Sequence, residues 1–342
     1  MAQMTLLNGQ VVGDFTKPYV IAEVNSSHNG DVETAKKMIK AAKDAGCSCV
    51  KFQSWSADTL YSKTYYQTNP IARRIVDKFA LTEEELKECA LFCKDIDISF
   101  SSTPYSEAEV DSLLNIGVPY IKIASMDINN YNFLKYIART KAPIILSTGM
   151  ADMDEVRKAV NIIRNNGNDK LSLLHCISIY PVAVDKINLN NITMLQTEFP
   201  ECPVGFSDHS LGTEIACAAT ALGVGIIEKH LTLDKTKPGM DNNMAIEPDE
   251  MMSLVRNCNN VYEAMGAKTR IVSAEEYEQR KKMRRSVIAA KKLKAGTVLT
   301  LMDLSAKRPG DGISVDRLEI LVGKTLKRDV EADMVLTSED FV

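Results

Sequence analysis

The residues of this chain best suited to chemistry are its four histidines, His28, His175, His209 and His230. Histidine is the commonest metal ligand and the usual side chain for proton transfer near neutral pH. Each of the four ends or follows a short apolar run. If these runs are the parallel strands of one barrel, all four histidines face its C-terminal end, where active sites of such barrels lie.

Two lysines also belong to the short apolar runs. Lys51 and Lys122 lie inside apolar runs, so each must point into a barrel mouth or be buried without a partner, which is costly. Hydroxyl groups and a Gly turn also follow the runs. Lysine supplies a point charge, and hydroxyl and backbone N–H groups supply directed donors, so the set suits a phosphate-bearing anion. The hydroxyl residues in question are Thr103, Ser125, Ser147, Ser178 and Ser207.

His209 and His230 end neighbouring runs and can converge on one metal ion. Two protein nitrogens leave positions for water and substrate, as a catalytic metal requires. We expect the adjacent Asp208 and Glu228 to orient the imidazoles. Each histidine alone would more often be a hydrogen-bonded core residue. The chain has no HExxH or CxxC spacing, which argues against a structural zinc site.

Eight short runs rich in Val, Ile and Phe alternate with amphipathic stretches, and their continuous apolarity is typical of strands buried on both faces. Asp31 and the Thr82-x-x-Glu85 capping box mark helix starts. Strict alternation predicts an α/β fold with a (β/α)8 TIM barrel; a doubly wound sheet is the structural alternative. The predicted strands are 19–24, 49–53, 96–101, 120–124, 143–147, 171–176, 204–207 and 224–230, and predicted helices include 32–45, 86–94, 104–115 and 152–166.

The pattern changes near residue 270. We predict a barrel domain over residues 1–270, a linker over 271–285 and a small C-terminal domain over 286–342. The basic residues 280–285 are read as a solvated linker helix rather than a nucleic-acid patch. A domain of roughly 60 residues has a marginal core, so it is expected to pack on the barrel or on a second subunit.

Composition limits the partners. The 342 residues are 25% charged with a formal net charge of −4, and the basic and acidic residues are interleaved. This pattern argues against nucleic-acid and membrane surfaces. No run reaches the ~18 apolar residues of a membrane span. The N-terminus has no signal-peptide pattern, and the eight cysteines fit reduced thiols, so we expect a cytoplasmic protein.

The ordered motifs at the strand ends resemble those of the nonulosonic acid synthases, the family of bacterial sialic acid synthases. The C-terminal part resembles their antifreeze-like (SAF) domain. The resemblance covers nearly the whole chain. It rests on Ile21-Ala22-Glu23, His28-Asn29-Gly30, Lys51-Phe52-Gln53, Thr103-Pro104-Tyr105-Ser106, Lys122-Ile123-Ala124-Ser125, Leu146-Ser147-Thr148-Gly149, His175-Cys176, Tyr180-Pro181, Ser207-Asp208-His209-Ser210, Glu228-Lys229-His230 and Lys307-Arg308-Pro309-Gly310-Asp311-Gly312.

The resemblance implies a transferase that condenses phosphoenolpyruvate with the aldehyde of an N-acylated hexosamine, giving a nine-carbon acid and phosphate. It implies a divalent metal, Mn2+ before Mg2+ or Co2+, on His209 and His230, with Glu23 acting on a water or proton. It also implies a domain-swapped homodimer in which Arg308 acts on the partner's site. The implied phosphoenolpyruvate residues are Lys51, Thr103, Lys122, Ser125, Ser147, Ser178 and Ser207, and the implied sugar residues are Gln53, Asp127, Tyr180, Asp241 and Arg308.

Departures from the family pattern lie mostly on the sugar side. Asp127 stands where a Glu is usual, Asn242 where a His is usual, and Ser178 where N-acetylneuraminate synthases have Asn. We therefore expect a dideoxy-diamino hexose, as in legionaminic or pseudaminic acid synthesis, with N-acetylmannosamine as the alternative. Two other hypotheses are a metal-dependent aldolase that uses pyruvate and a non-catalytic glycan-binding protein; the interior lysines argue against both.

Overall fold

A computed structural model describes residues 1–342 as two compact units, Met1–Gly266 and Ala267–Val342. The first unit contains an eight-stranded parallel sheet. Its strands are β3 (Tyr19–Glu23), β4 (Cys49–Gln53), β5 (Ser99–Thr103), β6 (Ile121–Ile123), β7 (Ile144–Ser147), β8 (Leu171–Cys176), β9 (Val204–Asp208) and β10 (Ile226–His230).

The strands lie side by side in the order β5-β4-β3-β10-β9-β8-β7-β6. The first strand of this sheet along the chain, β3, pairs with the last, β10, and His230 lies opposite Glu23. Strands that follow one another along the chain are neighbours throughout. An open doubly wound sheet has neither property, so the predicted barrel is confirmed; only β5 and β6 lie side by side without a hydrogen-bonded ladder.

Helices cover the outside of the barrel, and their starts follow the expected capping chemistry. The Asp31 side chain accepts from the Thr34 N–H at 2.8 Å, and Thr82 and Glu85 form the predicted capping box. The helices are α1 (Val32–Asp44), α2 (Ala57–Leu60), α3 (Lys63–Thr68), α4 (Pro70–Phe79), α5 (Glu83–Asp95), α6 (Glu107–Ile116), α7 (Tyr131–Arg139), α8 (Met153–Asn165), α9 (Val184–Ile187), α10 (Asn190–Glu198), α11 (Glu214–Ala221) and α12 (Pro248–Met265).

Several boundaries differ from the prediction, and two of them have a clear local cause. The run 96–101 begins inside the end of α5, because Ile96 caps that helix, so the strand starts only at Ser99. The stretch 104–115 becomes helical only at Glu107, because the Ser106 side chain accepts from the Glu109 N–H and forms the N-cap. The sequence also gave no separate signal for α2, α3 and α4 between β4 and β5.

An N-terminal hairpin of β1 (Gln3–Thr5) and β2 (Val11–Gly13) was not predicted. Its Met4, Leu6 and Val12 share one apolar cluster with Tyr19 and Tyr120 from inside the barrel. The hairpin therefore fills the N-terminal end of the barrel with apolar side chains. The C-terminal end of the barrel remains open for a functional site.

The second unit contains α13 (Ala274–Met283), an antiparallel pair of β11 (Ser286–Ala289) and β12 (Leu304–Lys307), and α14 (Leu318–Leu321). Two short 3-10 helices in the second unit begin with the same capping interaction. The buried Asp303 carboxylate accepts from the Thr300 N–H at 2.8 Å, and the buried Asp340 carboxylate accepts from the Thr337 N–H at 2.7 Å. None of the helices in either unit is long and apolar enough to cross a membrane.

Candidate active site

A cavity of about 330 Å³ opens at the C-terminal ends of the barrel strands. It gathers most of the predicted site residues from eight strand ends. Those that line it are Glu23, Lys51, Gln53, Thr103, Lys122, Ser125, Ser147, Ser178, Tyr180, Ser207, His209, His230 and Asp241. A larger cavity of about 930 Å³ lies beside the N-terminal ends of β4 and β5, but none of the predicted site residues lines it.

Strand alternation decides which side chains enter the cavity. Successive residues of a strand point to opposite faces. In β10, Glu228 and His230 line the cavity, whereas Lys229 between them does not. In β8, Cys176 lines the cavity, whereas the His175 imidazole points away and lies 2.8 Å from the Ile187 carbonyl oxygen.

Four buried charged groups form the floor of the cavity. Lys51 is ion-paired with Glu23, and its Nζ lies 3.8 Å from Glu228 Oε2. Lys122 Nζ lies 4.0 Å from Glu228 Oε1. The two lysines therefore share Glu228, whose Oε2 is buried and accepts no hydrogen bond.

Burial and neighbouring charges set the protonation of these groups. Burial raises the pKa of Glu23 to about 7, against the opposing effect of Lys51. Burial also lowers the pKa of Lys122. Burial also favours the neutral form of Lys51, but the negative charges of Glu228 and Glu23 have a larger effect and raise the Lys51 pKa. The pKa of Glu228 is lowered, because Lys122 and Lys51 together outweigh its burial. Near pH 7 the Glu23 carboxyl is therefore partly protonated, whereas the Glu228 carboxyl is ionised.

Hydroxyl groups surround the two ammonium groups. Lys51 Nζ donates to Thr103 Oγ1 at 3.2 Å, and Lys122 Nζ donates to Ser147 Oγ at 2.6 Å. The Ser207 hydroxyl donates to Glu228 Oε1 at 3.1 Å. The cavity wall therefore offers hydroxyl groups next to each cation, which is the arrangement that the sequence predicted for an anion.

Gly149 leaves space beside these hydroxyls. Its N–H donates to Ser125 Oγ at 3.1 Å, and Ser125 Oγ lies 3.2 Å from Cys176 Sγ. A Cβ built on Gly149 would lie 2.3 Å from Ser178 Oγ. Any larger residue at this position would displace the hydroxyls that line the wall.

The two cavity histidines lie together. Their ring centroids are 5.5 Å apart, and the Tyr180 ring lies 4.3 Å from the His209 ring. Burial lowers the pKa of His209 and, together with the positive charge of its neighbours, that of His230, so both are neutral at pH 7. His209 Nδ1 lies 2.7 Å from the Ile177 carbonyl, which can only accept, so this nitrogen carries the proton. The lone pair of His209 is therefore on Nε2, beside Ser207.

Asp208 and Glu228 do not orient the imidazoles, contrary to expectation. Asp208 points away from the cavity and pairs with the fully buried Lys229 at 2.8 Å. It also accepts from the Ser210 N–H and hydroxyl, while Lys229 donates to the Ser210 carbonyl. This ion pair holds the turn that carries His209, whereas the Ile177 carbonyl orients the ring itself.

Two loops meet over the cavity beside β3 and β10. Asn25 donates through its side-chain amide to the Asp241 carboxylate, and the Ser27 hydroxyl donates to Asn242. Asp241 Oδ2 lies 3.8 Å from His230 Nδ1. At the end of the adjacent strand β4, Gln53 Oε1 accepts from Trp55 Nε1 at 2.8 Å and from the Tyr105 hydroxyl at 3.0 Å, which leaves its NH2 group free to donate.

Arg308, which is expected to act on the site of a partner subunit, lies exposed in the second unit. Three other expected residues do not line the cavity. Asp127 accepts instead from the Asn130 amide at 3.1 Å. His28 is buried, and its Nδ1 accepts from the Gly30 N–H; burial lowers its pKa to about 4. His175 faces outward, as described above. Of the four histidines, His209 and His230 therefore line the cavity, whereas His28 and His175 do not.

Sequence reasoning missed several lining residues. Asn25, Tyr105, Cys176, Met126, Met150 and Met240 also line the cavity. Alternation along β8 could have identified Cys176. Met126 lies in a single 3-10 turn (Ser125–Asp127), and Met150 and Met240 lie in irregular loops, so no periodicity signals which side chain points inward.

Comparison with known proteins identifies the family of this chain. Residues 38–270 match the NeuB family, and residues 284–342 match the SAF domain. The chain belongs to the NeuB family. This confirms the predicted family, the C-terminal SAF domain and the prediction of an enzyme of the nonulosonic acid synthase class.

Relatives and solved structures show how far the similarity extends. The chain is 37% identical to the N,N'-diacetyllegionaminic acid synthase of Campylobacter jejuni, over 94% of this chain and 99% of that one. It is 31% identical to human N-acetylneuraminate-9-phosphate synthase, over 98% and 96% of the two chains. The crystal structure of the N-acetylneuraminic acid synthetase of Leptospira borgpetersenii superposes with a TM-score of 0.75 at 32% identity, covering 81% of this chain and 96% of that one.

Proposed function

We propose that this enzyme condenses phosphoenolpyruvate with the open-chain aldehyde of an N-acylated hexosamine, giving a nine-carbon acid and phosphate. The observation that carries the proposal is the pair of buried ammonium groups, Lys51 and Lys122, each bonded to a hydroxyl at the floor of one cavity. A buried cation needs a counter-charge. Glu228 serves both lysines at 3.8 and 4.0 Å, and Glu23, which pairs with Lys51, is partly protonated near pH 7, so a further anion is favoured.

Phosphoenolpyruvate is an anion that suits this cradle. Its phosphate and carboxylate carry about three negative charges near neutral pH, and ammonium groups form charge-assisted hydrogen bonds with both. The side chains proposed to hold it are Lys51, Thr103, Lys122, Ser125, Ser147, Ser178 and Ser207, all of which line the cavity. Because phosphoenolpyruvate is a cytoplasmic metabolite, the proposal also assigns the enzyme to the cytoplasm.

The histidine pair suits a divalent metal. Both imidazoles are neutral, and the proton on His209 Nδ1 leaves Nε2 able to donate a lone pair. His209 and His230 would hold the ion, which we expect to be Mn2+, with Mg2+ or Co2+ as substitutes. No third His, Cys, Asp or Glu completes a set of three ligands. A bound ion there would stabilise negative charge on the aldehyde oxygen when the enol carbon attacks.

Glu23 is suited to proton transfer. Burial raises its pKa to about 7, the range in which a carboxyl group exchanges protons at physiological pH. Its Oε1 is fixed by the Asn25 N–H at 2.7 Å. We propose that Glu23 acts on the water or proton at the carbon that becomes cationic after the carbon–carbon bond forms.

The sugar is proposed to be a dideoxy-diamino hexose of the legionaminic or pseudaminic type. Gln53, Tyr180 and Asp241 line the mouth of the cavity and supply polar contacts. Asp127 is turned toward Asn130, so the expected carboxylate contact is absent from this wall. Arg308 is proposed to reach the sugar from the partner subunit of a domain-swapped homodimer.

Phosphate release tests the proposal. We expect release from phosphoenolpyruvate only when an N-acylated hexosamine and a divalent ion are both present. His209→Ala should abolish release at any metal concentration. As a matched control, His175→Ala removes a buried histidine outside the cavity and should leave the metal concentration for half-maximal activity unchanged. Turnover of pyruvate without phosphoenolpyruvate, or an active His209→Ala variant, would contradict the proposal.

A further inference from the structure

Three methionines stand at the mouth of the active-site cavity, and none has a role in the scheme above. Met126, Met150 and Met240 are 49%, 70% and 44% exposed and all line the cavity. They come from three separate loops, after β6, after β7 and after β10. Large apolar side chains that converge on a cavity from different loops mark a ligand contact rather than scattered surface residues.

The backbone at Met150 supports a role for its side chain. Met150 has a φ of 62°, in the left-handed region that favours glycine or asparagine. A long side chain is uncommon in that region, and such a conformation is a reason to look for a functional constraint. Here it places a long apolar side chain beside Gly149, at the edge of the hydroxyl-lined wall.

Several acceptor oxygens at the mouth already take part in hydrogen bonds, whereas the Gln53 NH2 group is free to donate. Gln53 Oε1 accepts two hydrogen bonds, and the Asp241 carboxylate accepts from Asn25. Asp127 faces Asn130. A sugar with a hydroxyl on every carbon would place some of its hydroxyls against thioether groups, and a hydroxyl that loses its hydrogen bonds to water without replacement is destabilising.

We propose that Met126, Met150 and Met240 form a rim that selects sugars with apolar substituents, namely a 6-deoxy methyl group and a second acylamino methyl group. Methionine is unbranched and polarisable, so it fits methyl groups of varied shape. The inference rests on the proposed function and adds which residues distinguish a doubly acylated 6-deoxy sugar from N-acetylmannosamine. In this view discrimination comes from apolar contact at the rim and not from new hydrogen bonds.

Replacement of each rim methionine by glutamine tests the inference. Gln keeps the length of the side chain and replaces the thioether by an amide. We expect each variant to lower the kcat/KM ratio of a 6-deoxy diacetamido hexose over N-acetylmannosamine by roughly 10-fold, the discrimination that a single apolar contact supplies. The KM for phosphoenolpyruvate should not change. The Met→Leu variants should keep the ratio, and Met252→Gln, 47% exposed on α12 and outside the cavity, is the matched control.

A binding measurement separates this inference from the proposed function. Trp55, the single tryptophan, donates to Gln53 on the cavity wall, so its fluorescence can report sugar binding without turnover. Weaker binding of the diacetamido sugar to the Gln variants, with N-acetylmannosamine unaffected, supports the rim even if phosphate release fails. Equal loss for both sugars, or an unchanged ratio in all three variants, would overturn it.

Discussion

Carboxylates are buried in both units of this protein, but their surroundings are opposite. In the barrel, Glu23 and Glu228 face two ammonium groups, and burial raises the pKa of Glu23 to about 7. In the C-terminal unit, hydrogen bonds from the Thr300 hydroxyl, Lys291 and the Thr300 N–H lower the pKa of Asp303 to about 2. Burial therefore does not by itself reveal a role. The Asp303 carboxylate satisfies the N–H group of a turn and stabilises the fold, whereas Glu23 and Glu228 line the cavity.

The largest predicted effect is on activity, and it should follow the removal of a cationic side chain from the cavity. Lys122→Met keeps the shape of an unbranched side chain and removes a charge that burial already disfavours. We expect kcat/KM for phosphoenolpyruvate to fall by about 10²- to 10³-fold, as for loss of one preorganised electrostatic contact, with no loss of thermal stability. Steady-state kinetics and calorimetry measure the two effects.

The control is Lys94→Met, at an exposed lysine beside the cavity at the other end of the barrel. Its kcat/KM should match that of the parent enzyme. If Lys122→Met unfolds the protein without a specific kinetic effect, the cavity cations serve the fold, and the contrast between the two units disappears.

A smaller effect, on stability alone, should follow from a change in the C-terminal unit. Asp340→Ala removes the acceptor of the Thr337 N–H at 2.7 Å and of Arg328 Nε at 2.6 Å. Loss of a capping carboxylate lowers the free energy of unfolding by about 1–2 kcal/mol. Urea unfolding of the full chain, followed by circular dichroism, measures it.

Activity at low temperature should not change in Asp340→Ala. Glu339→Ala, at the exposed neighbour, should leave the unfolding curve unchanged. A destabilisation as large in Glu339→Ala as in Asp340→Ala would show that the cap itself contributes little.

A further effect on stability concerns pH. The folded pKa of Glu23, about 7, exceeds its ordinary value of 4.5, so the folded state binds this proton more tightly than the unfolded state does. The contribution of Glu23 to stability is therefore greatest below pH 4.5 and is lost as pH rises through 7. The Gln side chain of the Glu23→Gln variant cannot titrate. The free energy of unfolding of this variant minus that of the parent should therefore be larger at pH 8 than at pH 5. Equal differences at both pH values would contradict the raised pKa.

The sequence predicted the barrel and the floor of the site because both depend on periodic patterns. Continuous apolar runs identified the strands, and Lys51 and Lys122 stood out because a lysine inside such a run has few places to point. His175 and Asp208 were misplaced for a related reason. Their sequence neighbours Cys176 and Ser207 face the cavity, and a shift of one residue along a strand reverses the direction of the side chain.

The mouth of the cavity could not be predicted in the same way. Met150 and Met240 lie in loops, where no repeat fixes the direction of a side chain. Whether Asp127 faces the sugar depends on a local hydrogen bond to Asn130, not on the spacing of motifs. The N-terminal hairpin was missed because three-residue strands carry too few residues to show alternation.

The hydrogen bonds that join the loops after the first and last barrel strands, Asn25 to Asp241 and Ser27 to Asn242, make these positions a set of linked pairs. An evolving or engineered enzyme cannot exchange position 241 or 242 alone without stranding a partner in the opposite loop. New sugar preferences at this edge should therefore arise by paired replacements, and libraries that randomise 25 with 241, and 27 with 242, should yield more active variants than single-site libraries.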